Sequence, residues 1–304
     1  MPDFLLMAMA LLLAAVVAGL VLLAIARTAK EPAPWRLAAG WTMGLAAGIY
    51  AGCALLGEWP HWPPLEDRDR FLAVLLPLAL AVEFAAMLLP ERRALPWILR
   101  VFLAAAAAPI LLHNSVYLAD LAGPGSAEWS LSLAAVILSM SAAILSIVWG
   151  LLAELQSRQS GPTLSIVLAA TALATAATVM LSGYFRGSLL ALPMCGAIAG
   201  TTLASVVLPQ QPQGNPCLGI GIFGIFSVLL IGRFFGSLPT SLAIGILLTP
   251  LLAWSAEIPR IRQWPVAARS AVGIAAVLAS LLLMVACAQV RFNNSLRTGS
   301  ETRR

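Results

Sequence analysis

Two ionisable residues lie well inside apolar runs of this chain, Glu83 and Arg100. A lone charge inside a bilayer costs about 2.5–3.5 kcal/mol on insertion scales, and such residues pair with one another or mark a pathway. Glu83 stands seven residues before Pro90, and Arg100 stands four after Pro96. At about 1.5 Å per residue, both reach a comparable depth on adjacent antiparallel helices. The spacing predicts an intramembrane ion pair. It serves either as a structural tie or as a proton or substrate site.

A second group of candidates sits near segment ends. Two stretches share the pattern G-x-F-x-G-S-L, Gly183 to Leu189 and Gly232 to Leu238, 49 residues apart. Pro216 and Pro265 are also 49 apart, which suggests two related hairpins in the C-terminal half. Each turn offers one arginine, Arg186 or Arg233, among backbone N–H groups, an arrangement suited to anions. The two histidines, His61 and His113, fall on the same side and extend the set of expected anion contacts. They have no metal-ligand spacing, so neither a metal nor a cofactor is expected. Zinc-protease HExxH, serine-hydrolase GxSxG and phosphate-binding GxxxxGK[ST] motifs are all absent.

The elements that carry these residues follow from composition. Of 304 residues, 61% are hydrophobic and 10% charged, against about 25% charged in a soluble domain. A water-soluble globule needs more polar surface than this chain has. Ten segments approach the roughly 20 apolar residues needed to cross a bilayer: 4–25, 37–56, 71–89, 96–112, 130–153, 163–183, 188–208, 217–232, 238–254 and 266–288. Period-two alternation is missing, which excludes a barrel. The expected fold is all-α, a polytopic helix bundle forming one transmembrane domain over 1–304, ending in a polar basic tail over 289–304.

Pro34, Pro96, Pro162, Pro216 and Pro265 each stand at or just before an even-numbered segment. Proline suits a first helical turn, where its missing N–H costs nothing. The ten spans therefore read as five helical hairpins. All nine tryptophans fall near segment ends, as in interfacial belts. The run 4–25 reads as a first span, because it lacks a basic n-region and exceeds a signal-peptide core.

Arginines and lysines set orientation. Arg27, Lys30, Arg36, Arg92, Arg93, Arg158, Arg260 and Arg262 mark one side as cytoplasmic. Glu58, Glu66, Asp67, Asp69, Asp120 and Glu128 mark the other as outer. The net charge of +5 belongs to this topology, and no nucleic-acid partner is expected.

Gly40, Gly44, Gly48 and Gly52 form one stripe of the second segment, with a shorter pair, Gly196 and Gly200, in the seventh. Small residues four apart let a neighbouring backbone approach closely. Gly19 has no such companion and is expected to tolerate a larger side chain. The four cysteines, Cys53, Cys195, Cys217 and Cys287, read as buried structural thiols.

Ten spans in about 300 residues resemble the drug/metabolite transporter superfamily in size, although outward termini and undivided halves depart from that family's pattern. TVMLSGYF (178–185), LALP (190–193) and GRFFGSLP (232–239) look similar to a group of uncharacterised bacterial multi-pass membrane proteins. That resemblance covers the C-terminal half. It implies an integral protein of a bacterial inner membrane and brings no activity with it.

Three functions fit. The first is a small-solute secondary transporter or permease. The second is a non-catalytic anchor or assembly subunit, with membrane-protein partners or as a homo-oligomer. The third is an embedded enzyme acting on a lipid phosphate. The lack of catalytic motifs weighs toward a non-enzyme, and the bilayer is the one partner common to all three.

Overall fold

A computed structural model of the chain describes residues 4–27, 34–89, 94–119, 128–159, 161–208 and 216–301, with side chains of the last helix described to Asn294. Lys30, Arg92, Arg93 and Asp120, used above for orientation, lie outside the described residues. The end of the bundle that carries the connections after the second, fourth, sixth and eighth spans is called outer, following the charge bias.

The described residues form an all-α bundle with ten helices long and apolar enough to cross a membrane. They are α1 Phe4–Arg27, α2 Pro34–Leu55, α3 Asp67–Leu88, α4 Ala94–Leu111, α5 Leu131–Arg158, α6 Thr163–Leu181, α7 Ala191–Val207, α8 Pro216–Phe234, α9 Thr240–Glu257 and α10 Val266–Glu301. Pro34 and Pro216 are the first helical residues of α2 and α8, and Pro162 caps α6. Ser130 caps α5, its hydroxyl accepting from the Leu133 N–H at 3.3 Å.

Two helices depart from uniform α geometry. In α3 a π turn occupies Phe71–Leu75. In α9 the half after Pro250's turn, Thr249–Glu257, winds as a 3-10 helix. Nine residues at about 1.5 Å and nine at about 2.0 Å give roughly 31 Å, close to the bilayer's hydrocarbon thickness. The tighter winding lets a short segment reach across. The last helix is the opposite case: 36 residues continue through the expected tail as far as Glu301.

α8 is the centre of the bundle, and nearly all its residues are buried. Glycines on its different faces make that possible. A Cβ at Gly219 would overlap Glu83 of α3, one at Gly224 would overlap Met194 of α7, and one at Gly232 would come within 2.8 Å of Val179 of α6. Each missing side chain admits a different neighbour.

A second tight unit joins α1, α2 and α7. Ala10, Ala14 and Ala18 of α1 are wholly buried there. A Cβ at Gly48 would lie 2.6 Å from the Ala14 carbonyl oxygen, and one at Gly44 would lie 2.8 Å from that of Ala18. Added Cβ atoms at Gly196 and Gly200 would strike the Leu11 and Ala15 carbonyls. Gly40 meets only side-chain ends of Leu22 and Ile25. The expectation for Gly19 is corrected: its added Cβ would lie 3.1 Å from the Gly200 carbonyl oxygen, so it belongs to the same seam.

Packing does not follow the hairpins throughout. α1 lies along α2, and α9 along α10. α5 and α6 are consecutive in the chain, yet α5 packs along α4 and reaches α8, while α6 packs on α7, α8 and α10. The displaced α5 leaves an opening between itself, α8 and α9.

Other expectations change as well. Cys53, Cys195 and Cys217 are buried, but Cys287 is exposed on α10. Trp41 and Trp149 are buried within helices and do not belong to an interfacial belt. Asp67 and Asp69, assigned to a loop, form the first turn of α3, where acidic groups meet the positive end of the helix dipole.

Candidate functional site

The outer end of α3 reads Asp67-Arg68-Asp69-Arg70, and three of these four residues are buried. Three find partners in the preceding loop, and two reach other elements. Arg68 pairs with Glu58 and Glu66 of the preceding loop. Asp69 accepts the His61 backbone N–H at 3.0 Å. Arg70 donates to the carbonyls of Leu65 and of Leu111, the last residue of α4, at 3.2 Å for the latter. A cation there satisfies a carbonyl that the helix itself leaves open.

Asp67 receives the hydroxyl of Tyr184, which donates toward both carboxylate oxygens at 2.9 Å. Tyr184 comes from the first G-x-F-x-G-S-L turn. Burial, and then the adjacent Asp67 carboxylate, raise its phenol above the ordinary tyrosine range. The second turn packs on the first. Ser237 N–H and its hydroxyl both donate to the Ser182 carbonyl, at 3.0 and 2.6 Å, and the rings of Tyr184 and Phe235 stand 6.3 Å apart. The two similar turns are therefore neighbours, and Gly236 is needed because an added Cβ would meet the Gly232 carbonyl at 2.7 Å.

Two outer cavities adjoin this cluster. One, of about 690 Å³, reaches from Glu58 and His61 down to Leu72 and Leu189. The other, of about 370 Å³, extends to His113, Asn114 and Phe235. Glu66, Arg68 and Arg186 line both. Arg68 is already neutralised by its two glutamates. Arg186 is exposed, and among the described residues no carboxylate lies within ion-pair distance of it.

Arg186 thus borders both cavities, His61 the larger and His113 the smaller. Arg233 does not join them. Its Nε donates to Thr240 Oγ1 at 2.7 Å, in a separate cleft between α5, α8 and α9. The four expected anion contacts do not converge on one phosphate. Among the described residues no cluster of His, Cys, Asp and Glu is arranged to hold a metal.

Glu83 and Arg100 meet deep in the bundle. Arg100 Nε donates to one carboxylate oxygen of Glu83 at 2.7 Å, and a terminal guanidinium nitrogen donates to the other at 2.9 Å. Glu83 is 2% exposed. The guanidinium also lies 5.2 Å from the Trp97 ring and 5.5 Å from the Trp149 ring, within cation–π range. Neither partner lines the outer cavities or the α5–α8–α9 cleft. The pair is enclosed by two indoles and by the Cβ-less face of Gly219.

The geometry defines a polytopic helical membrane protein with a buried polar cluster at the outer end of α3. Compared with family models, with curated proteins and with solved structures, the chain matches none.

Sequence reasoning missed Tyr184, Asp67, Arg68 and Gly219 as positioning residues. The alternating Asp-Arg-Asp-Arg run was the available signal. Charges of both signs at a helix start can bury one another, whereas a wet loop has no need of that order.

Proposed function

We propose that this protein is a bacterial inner-membrane permease for a small anion-bearing solute, loaded from the outer side at Arg186. The observation that carries this reading is the unpaired Arg186 guanidinium standing between two cavities whose other arginines are engaged, Arg68 on glutamates and Arg70 on backbone carbonyls. A planar guanidinium suits carboxylate and phosphate groups, which it can engage with two parallel hydrogen bonds. The cavities have the size of small-ligand sites, about 300–1,000 Å³. His61 lines the larger cavity, which Leu72 and Leu189 floor, and His113 lines the smaller.

The test is a thermal-shift screen of carboxylates, amino acids and phosphate on the purified protein, followed by uptake of any hit into proteoliposomes. A hit should stabilise the wild type and be taken up. Arg186→Gln should fold normally, since the side chain is exposed, and lose both responses. Arg186→Lys should retain part of them. Uptake unchanged in Arg186→Gln would overturn the reading.

The subunit alternative draws on the apolar outer faces of α5 and α10. Bilayer lipid covers such faces equally well, so they favour no protein partner.

A further inference from the structure

We infer that the cleft between α5, α8 and α9 is a binding site for one phospholipid with a primary-ammonium headgroup, of the phosphatidylethanolamine type. The cleft measures about 560 Å³ and exists because α5 is displaced toward α4. Its walls are apolar: Met140 and Ile144 from α5, Phe226 and Leu230 from α8, Ile244 and Leu247 from α9. From Phe226 to Arg233 the cleft runs seven residues along α8, about 10 Å. One leaflet contributes about 15 Å of hydrocarbon. The slot therefore accepts most of one acyl chain lying parallel to the helices.

The mouth changes character abruptly. Arg233 and Thr240 stand on one side and Glu128 lines the same opening. Arg233 is held by its bond to Thr240 and by the Phe234 face, 5.5 Å from the ring centroid. Among the described residues it forms no ion pair with Glu128 or any other carboxylate. A fixed cation and a separate carboxylate at the interface complement a headgroup carrying both phosphate and ammonium. The phosphate meets the Arg233 fork and the ammonium meets Glu128.

The headgroup class follows from donors and from ring packing. A primary ammonium offers three N–H donors to a carboxylate, whereas a trimethylammonium offers none. A choline group would instead require an open aromatic cage. The aromatic residues at this mouth are closed on one another: Tyr117–Trp129 ring centroids are 4.8 Å apart, and both rings lie 5.2 Å from Phe234. Tyr117 is further fixed by donating to the Phe234 carbonyl at 3.2 Å. No space remains between these rings for a cation.

The site shares no residue with the Arg186 cavities, so it stands or falls independently of the permease reading. The experiment uses delipidated full-length protein in detergent, with thermal shift and native mass spectrometry read against added phosphatidylethanolamine, phosphatidylglycerol and phosphatidylcholine. Phosphatidylethanolamine should give the largest shift and a retained one-to-one adduct. Glu128→Gln should remove its advantage over phosphatidylglycerol. Arg233→Gln should remove the shift for both. Because that variant also loses the Thr240 bond, Ile144→Trp provides a second probe, filling the acyl slot while leaving the mouth intact; it too should lose the adduct. Equal shifts for the three lipids in the wild type, or a full phosphatidylethanolamine response in Ile144→Trp, would overturn the assignment.

Discussion

Gly219 of α8 faces Glu83 of α3 so closely that a Cβ on the glycine would overlap the carboxyl group. Glu83 cannot yield, because Arg100 holds both its oxygens. Gly219→Ala should therefore lower the melting temperature in detergent. Gly219→Ala should cost less in a Glu83→Ala background than in the wild type, because the smaller side chain makes room, even though Glu83→Ala is itself destabilising through the stranded Arg100. Equal stability of Gly219→Ala and wild type would contradict this packing.

Removing one partner of the ion pair leaves a buried charge alone. Glu83→Gln and Arg100→Gln should each cost about 3–5 kcal/mol, while the double variant recovers much of it. Chemical or thermal denaturation of the four proteins forms the cycle. A double variant as unstable as the sum of the singles would show that the two residues act separately.

The helix seam gives a graded series. Gly44→Leu and Gly48→Leu push directly on backbone carbonyls of α1 and should be severely destabilising. Gly40→Leu meets only movable side-chain ends and should be the mildest of the stripe. Gly19→Leu should behave like the seam and not like a lipid-facing site. A melting temperature for Gly48→Leu above that of Gly40→Leu would reverse this order.

Tyr184 offers a test by pH. Its phenol is raised in the folded state relative to the ordinary 10.0. The folded protein then keeps the proton where the unfolded chain releases it. The stabilisation is complete below about pH 10 and declines as pH rises beyond that value. Tyr184→Phe should lose about 1–3 kcal/mol at neutral pH, because buried Asp67 loses its donor. It should also show a shallower alkaline decline than wild type. Parallel melting curves from about pH 8 to about pH 11 decide the matter.

Orientation is open to reporter fusions. Fusions after Arg93 and after Arg262 should read cytoplasmic, and fusions within 63–69 should read external. An external signal after Arg262 would invert the bundle and place Arg186 inside the cell.

Spans were the most legible part of the sequence, since apolar length and proline punctuation act within each segment. Lateral packing was less so. Nothing local to 131–158 tells that α5 leaves α6 for α4, because its lipid-facing and protein-facing leucines are chemically alike. At the outer end, Asp67 and Asp69 read as wet because they are charged. Their burial depends on Tyr184 and His61, which come from other stretches. Glu83 and Arg100 could be matched in depth because antiparallel neighbours share a length scale. The indoles and the glycine that enclose them come from α4, α5 and α8, and no spacing rule links those three.

α3 and α4 are joined near both ends, by Arg70 on the Leu111 carbonyl and by Glu83 on Arg100. Arg70 and Glu83 are 13 residues apart, about 20 Å along the axis. Two bolts that far apart forbid slippage of one rod past the other, because a ratchet of one turn, about 5.4 Å, would have to shear both together. The two helices travel as a single plank. The glycine-thinned faces of α8, where Glu83 of the plank rests against Gly219, offer such a plank its fulcrum.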